Sequence, residues 1–306
     1  MIKNLFSFIE APVYQGQKHF GVSLGPGFIR QCLLDQKYNF KSLAVQESQN
    51  QSDPQFEIYE ELSYLVEREV RRNQLTFIAG GDHSLSIGSL QGVLRAEPDV
   101  KVLWVDAHGD VNTRKSSMTG SYHGMPLAFL LGEDRLQGQD WFSEYLKPEN
   151  LIYYGVRDLD KAEKDFLDKK KIVYYTSQDV QKDSNKVIKE ISQKFCNSKL
   201  HLSVDSDAFD PLLAPSTGVP VLNGMNYNHV QNLISELADK NNILSYEYVE
   251  LNPQIFSKAE DVFGTAQIGI NLFSEILKKQ QKKESFHGSN DRFSYSEKSD
   301  LLHSSF

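Results

Sequence analysis

The stretch VLWVDAHGD, residues 102–110, decides how the chain reads. Its first four residues are apolar throughout, as in a strand covered on both faces. It then runs into Asp106, His108 and Asp110 at alternate positions. In extended backbone these three side chains project to one side, so the spacing predicts an ionisable cluster where a buried strand emerges. Two more segments repeat the arrangement. LTFIAGGDHS (75–84) carries His83 beyond an apolar run, and LHLSVDSDAFDP (200–211) carries Asp205 and Asp207, again two apart.

Working outward, strands are expected at 75–79, 102–106, 151–156, 172–175, 200–205 and 243–251. Between them lie windows of helical spacing, such as Ile58, Leu62, Leu65, Val66 and Val70, and later Val262, Ala266, Ile270, Phe273 and Leu277. Ser257 followed by Glu260 reads as a capping box opening the last helix. Such alternation predicts an α/β fold: a three-layer single domain with a central, mostly parallel sheet flanked by helices. Ligands of open sheets of this kind bind beyond the carboxyl ends of the strands. No repeat or linker divides residues 1–277. From 278 to 306 the composition turns polar (KKQQKKE, then Ser, Lys and Asp), which reads as a frayed or disordered tail. The alternative is an arm docking on a neighbouring subunit through Phe286, Phe293, Tyr295, Leu301 and Leu302.

The 306 residues carry 33 Lys plus Arg against 41 Asp plus Glu, a formal charge of −8. That balance argues against nucleic acid or an anionic membrane as partner. No apolar run reaches the ~18 residues of a membrane span, and the N-terminal residues lack the layout of a signal peptide, so a cytoplasmic location is expected. With only Cys32 and Cys196, a multi-thiolate metal site is excluded. Four carboxylates and two imidazoles form a hard donor set that suits Mn²⁺, with Fe²⁺, Co²⁺ and Zn²⁺ as competitors. Four acids neutralise two divalent ions, so a paired-metal site is the electrostatic solution. Without cations the acids would repel one another.

GGDHSLSIGSL, WVDAHGDVNT, GSYHGMPLAFLL, GVRDLDKAE, SVDSDAFDPLLAPSTGVP and EYVELNP together resemble the ureohydrolase family, arginases and agmatinases, over roughly residues 10–277. The similarity is greatest to arginases. The resemblance implies two Mn²⁺ per subunit, with His83 and Asp110 on one metal, His108 and Asp207 on the other, and Asp106 and Asp205 bridging. It implies His123, Glu250 and Asp110 as catalytic residues: a shared water of lowered pKa attacks the guanidinium carbon, His123 protonates the leaving amine, and Glu250 pairs with the guanidinium. Glu247 and Glu250 are three apart, so only one is expected to face inward on an extended strand, and Glu250 is favoured.

The resemblance further implies Asn112, Thr119, Ser121, Asp160 and Glu163 as the residues that hold the amino-acid end of L-arginine. Asp160 and Glu163 could instead be the charged start of an exposed helix. Thr119 stands where the family commonly has Ser, Ser121 where Asn is usual, and Val219 where Thr is usual. The implied reaction is L-arginine to L-ornithine and urea. Agmatine, another guanidino acid or formiminoglutamate are alternative substrates, and a non-catalytic metal-binding relative is the alternative of a different class. Homo-oligomers, trimers or hexamers, are the family expectation.

Overall fold

Strands that are apolar on both faces need a helical layer on each side, and the chain supplies them in alternation. The computed structural model describes residues 5–18, 20–45, 54–136, 138–255 and 258–299, the side chains of 54, 55, 284 and 286–299 excepted. In chain order the elements are β1 (Phe6–Ala11), α1 (Gly25–Asp35), β2 (Phe40–Ala44), α2 (Pro54–Arg71), β3 (Thr76–Gly80), α3 (Ser86–Ala96), β4 (Lys101–Val105) and α4 (Pro126–Leu130). They continue with β5 (Leu151–Val156), α5 (Lys161–Lys170), β6 (Val173–Thr176), α6 (Ser177–Lys194), β7 (Lys199–Asp205), α7 (Tyr227–Lys240), β8 (Asn242–Val249) and α8 (Ala259–Ser299).

The strands form one sheet in the order β2-β1-β3-β8-β7-β4-β5-β6, parallel at every pairing. Successive residues feed opposite layers. Phe77 and Leu103 pack with Ile29, Val187, Leu233 and Phe273 of α1, α6, α7 and α8. Ile78 and Trp104 pack with Leu62, Leu90, Phe129 and Leu167 of α2, α3, α4 and α5. This is the expected three-layer α/β fold. Among the described residues no helix is long and apolar enough to cross a membrane.

Six expected strands appear with ends shifted by at most two residues, while β1 and β2 were not anticipated. β1 breaks its apolar run with Ser7 and Glu10, and β2 is a half-exposed edge strand containing Lys41 and Ser42. Ser257 of the expected capping box lies outside the described residues. α8 itself continues past Leu277. There Lys279 pairs with Asp239 (2.6 Å), Gln280 Nε2 donates to the Ile243 carbonyl (2.6 Å), and Lys283 Nζ donates to the Asn241 carbonyl (2.7 Å). The side chains of Phe286, Phe293, Tyr295, Leu301 and Leu302 lie outside the described residues.

The β1–β2 edge is held by one buried acid. Glu69 of α2 accepts from Ser7 Oγ (2.7 Å), Lys41 Nζ (2.8 Å) and Arg68 Nε (2.8 Å). Burial alone would raise its pKa, but Lys41, Ser7 and Arg68 hold it down to about 2. A folded-state pKa below the ordinary 4.5 means the carboxylate stabilises the fold above pH 4.5, and that contribution is lost as pH falls towards 2. Glu69→Gln should therefore lower stability at pH 7 by on the order of 3 kcal/mol, with the gap to wild type narrowing below pH 4.5. Urea-unfolding midpoints at several pH values test this. A gap independent of pH would contradict it.

Candidate active site

β3, β8, β7 and β4 are neighbours at the centre of the sheet, and all four end at the same edge. The segments beyond them carry His83, Glu250, Asp205 with Asp207, and Asp106 with His108 and Asp110. The geometry that gathers the acids differs from the extended alternation expected. β4 stops at Val105, and Asp106 Oδ1 accepts the backbone N–H of His108 (2.7 Å), turning the chain. Asp110 then adopts a left-handed backbone, φ 50°. Asp205 closes β7 and accepts the N–H of Asp207 (2.8 Å), starting a 3₁₀ turn at Ser206–Ala208. Each carboxylate thus folds the turn that delivers the next donor, which is why Asx residues at this spacing work at a strand end.

His83 shows what the cluster is for. Its ring stacks on Trp104 (centroids 4.1 Å apart, 4° between planes). Ser203 Oγ lies 2.8 Å from His83 Nε2 and donates its one proton to Glu247 Oε1 (2.7 Å). Nε2–H must therefore be the donor to Ser203, which leaves Nδ1 to offer a lone pair. Oxygens of Asp106, Asp110 and Asp205 lie 3.0, 3.0 and 3.2 Å from this Nδ1, yet none forms an aligned hydrogen bond with it. Three carboxylates converging on a buried, unpartnered nitrogen form a cation-binding donor set. A second group, Asp106, His108 and Asp207, shares Asp106 with the first. His108 Nδ1 lies 3.1 Å from Asp207 Oδ2 and 3.5 Å from Asp106 Oδ1.

The electrostatics favour positive charge at this site. Burial, then the Asp207 and Asp106 charges, push the Asp205 carboxyl well above the carboxylate range. Burial and Asp106 raise Asp110 to about 6. Burial opposes a charged His83, but Asp106, Asp110 and Asp205 outweigh it and favour a second proton on the ring. A divalent ion bound here would take the place of those protons. These His and Asp groups can hold a metal.

On the same cleft His123 Nδ1 faces Glu250 Oε1 at 3.4 Å. Burial opposes the imidazolium, yet Glu250 lifts the pKa of His123 to about 9. Glu250 has left strand geometry, with φ 64°, and its backbone N–H donates to the Gly81 carbonyl (2.8 Å). Gly81 must be Gly because a Cβ there would run into the Val13 carbonyl. The expectation that only one of Glu247 and Glu250 faces inward is overturned, since both are buried. A sheet covered on both faces has no outer side: Glu247 turns towards α3, where Ser86 and Ser89 donate to it (both 2.5 Å), and towards Ser203.

A sequence model of the arginase family matches residues 5–278. The chain belongs to the arginase family. It is 33% identical over 292 residues to an arginase of Staphylococcus aureus, covering 88% of this chain and 97% of the relative. The crystal structure of Bacillus subtilis arginase superimposes with a TM-score of 0.80 at 31% identity, covering 89% of this chain and 98% of that one. The Entamoeba histolytica arginase complex with L-ornithine also gives 0.80, at 29% identity over 89% of this chain and 97% of that one. As an arginase-family member the protein is a hydrolase acting on C–N bonds of linear amidines.

In this family member the cleft encloses about 430 Å³. Its wall contains His83, His108, Asp110, Asp205, Asp207, His123 and Glu250, and also Asn112, Thr119, Ser121, Asp160, Glu163 and Val219. Asp106 sits beneath, fully buried, where Trp104 Nε1 donates to it (3.0 Å). Asp160 and Glu163 do open a helix, as the alternative reading held. Asp160 Oδ1 accepts from Glu163 N–H (2.9 Å), and Glu163 Oε2 accepts from Asp160 N–H (3.1 Å). The same Asp160 accepts from Asn112 Nδ2 (2.7 Å), so this helix start also borders the cleft. Burial raises the Glu163 carboxyl to about 7. Sequence reasoning missed Gln17, Lys18 and Asp158, which also line the cleft. Asp158, two residues before Asp160, was visible in VRDLDKAE. Gln17 follows the unread strand β1 and offered no signal.

Proposed function

We propose that the protein is a manganese-dependent arginase, converting L-arginine and water to L-ornithine and urea. The observation that carries this reading is one cleft in which five His/Asp donors, with Asp106 beneath them, face a His123–Glu250 pair. A site needed only to hold metal has no use for that pair. His83 and Asp110 would hold one Mn²⁺, His108 and Asp207 the second, with Asp106 and Asp205 shared. When bound, the metals supply Lewis acidity and a water acidic enough to deprotonate near neutral pH.

The chain's own groups do the rest. Glu250 pairs with the planar guanidinium and fixes its carbon over the donor set. His123, charged through its contact with Glu250, holds on Nδ1 or Nε2 the proton that the departing δ-amine requires. Asp160 and Glu163 take the α-ammonium, while Asn112, Thr119 and Ser121 take the carboxylate.

A second reading, another amidinohydrolase of the same class, is favoured by Ser121 and Val219, each of which removes polar reach from the cleft. Urea release from L-arginine and from agmatine, with and without Mn²⁺, separates the two. Arginine should be the better substrate by about 10-fold or more, since only it engages two charged groups at its far end. No urea from arginine would refute the proposal. A homo-oligomer in the cytoplasm is the accompanying expectation.

A further inference from the structure

The turn after β1 is tied to three separate segments around the cleft. Gly16 N–H donates to Asp82 Oδ2 (2.8 Å), and the Gly16 carbonyl accepts the backbone N–H of His123 (3.1 Å). Gln17 Nε2 then donates to Glu250 Oε2 (2.6 Å), across 233 residues of sequence. Gly16 permits this approach, because a Cβ at that position would strike the Asp82 carboxylate and Ser84.

Glu250 is thereby pinned at both oxygens: Oε2 by Gln17, and Oε1 by the backbone N–H of His83 (3.0 Å). Its carboxylate cannot rotate without losing a charge-assisted bond. The carboxamide orientation follows from the chemistry, since a carboxylate only accepts and the amide nitrogen must face it. Gln17 Oε1 is then directed away from Glu250, and it is buried without a partner.

We propose that Gln17 is a substrate-positioning residue: its carboxamide nitrogen locks the Glu250 carboxylate in the orientation that meets the substrate guanidinium. The inference rests on the guanidine-hydrolase reading above. The contact that Glu250 makes exists in ground and transition states alike, so its loosening weakens binding more than turnover. It also lies at the end of the substrate that arginine and agmatine share.

The test is steady-state urea release by the Mn²⁺-loaded protein carrying Q17M, with Q17A as a second variant in case one fails to fold. Metal content and melting midpoint are measured alongside. Q17M should raise KM by about 10–100-fold with kcat held within about 3-fold, the loss of one charge-assisted hydrogen bond. The arginine-to-agmatine preference should stay the same, which a general loosening of the cleft would not produce. An unchanged KM in an active variant, or a loss confined to kcat, overturns the assignment and leaves the guanidine-hydrolase reading standing. A wild-type protein that releases urea from neither substrate overturns both.

Discussion

His123→Ala should cut urea release by about 10²–10⁴-fold while leaving the metal content of the protein unchanged. The two halves of this expectation have separate causes. His123 belongs to neither of the metal-competent groups, so removing it subtracts no ligand. Its loop is held through the backbone, by His123 N–H to the Gly16 carbonyl (3.1 Å) and Met125 N–H to the Tyr122 carbonyl (3.0 Å), and Ala preserves both bonds. What disappears is a proton. An alkylamine cannot leave a carbon centre as an anion near neutral pH, and within the cleft His123 is the group that Glu250 keeps charged, at about 9. Because the imidazole acts in the reaction rather than in binding, KM for arginine should move little and kcat should carry the loss. Added imidazole should restore part of the rate. A variant with turnover within about 10-fold of wild type would place the proton donor elsewhere.

How far the chain could be read from its sequence depended on where each residue finds its partners. VLWV and LIYYGV were legible as strands because both faces are buried, so every side chain reports the same environment. β1 was not, because Ser7 and Glu10 look wrong for a buried strand until Glu69 and Arg30 are seen beside them. Those partners lie 62 and 20 residues away in sequence. The residues of the candidate metal site were legible by type, since four acids and two imidazoles at strand ends have few other uses. Their geometry was not legible: side-chain caps at Asp106 and Asp205 and the left-handed backbone at Asp110 and Glu250 replace the extended spacing. Non-Gly residues in that region cost free energy and gather where function requires a particular aim. Gln17 was invisible for both reasons, lying after an unread strand and acting on a residue at the far end of the chain.

Asp205→Asn should separate the electrostatic basis of the proposed metal binding from the shape of the site. Asp205 Oδ1 accepts the N–H of Asp207 (2.8 Å), and the amide oxygen of Asn can do the same, so the turn Ser206–Ala208 should persist. The other oxygen, 3.2 Å from His83 Nδ1, becomes an NH₂ group that offers hydrogens where a cation requires a lone pair. Asp106 would be a poorer choice, since its two oxygens accept from Trp104 Nε1 and His108 N–H and an amide would disrupt one of them. Removing one partner of a buried charge pair costs about 3–5 kcal/mol, or about 10²–10⁴-fold in metal affinity. The metal-free protein should not suffer, because Asp205 is crowded there by Asp207 and Asp106 and one fewer acid relieves that repulsion. Thermal melts should therefore show the metal-free variant at least as stable as metal-free wild type. At Mn²⁺ concentrations near 1,000 times its dissociation constant, wild type should gain about 4 kcal/mol. The variant gains little at the same concentration, and its urea release falls with its metal content. If Asp205→Asn takes up Mn²⁺ as tightly as wild type, Asp205 is not a ligand, and the site must be held by the remaining acids alone.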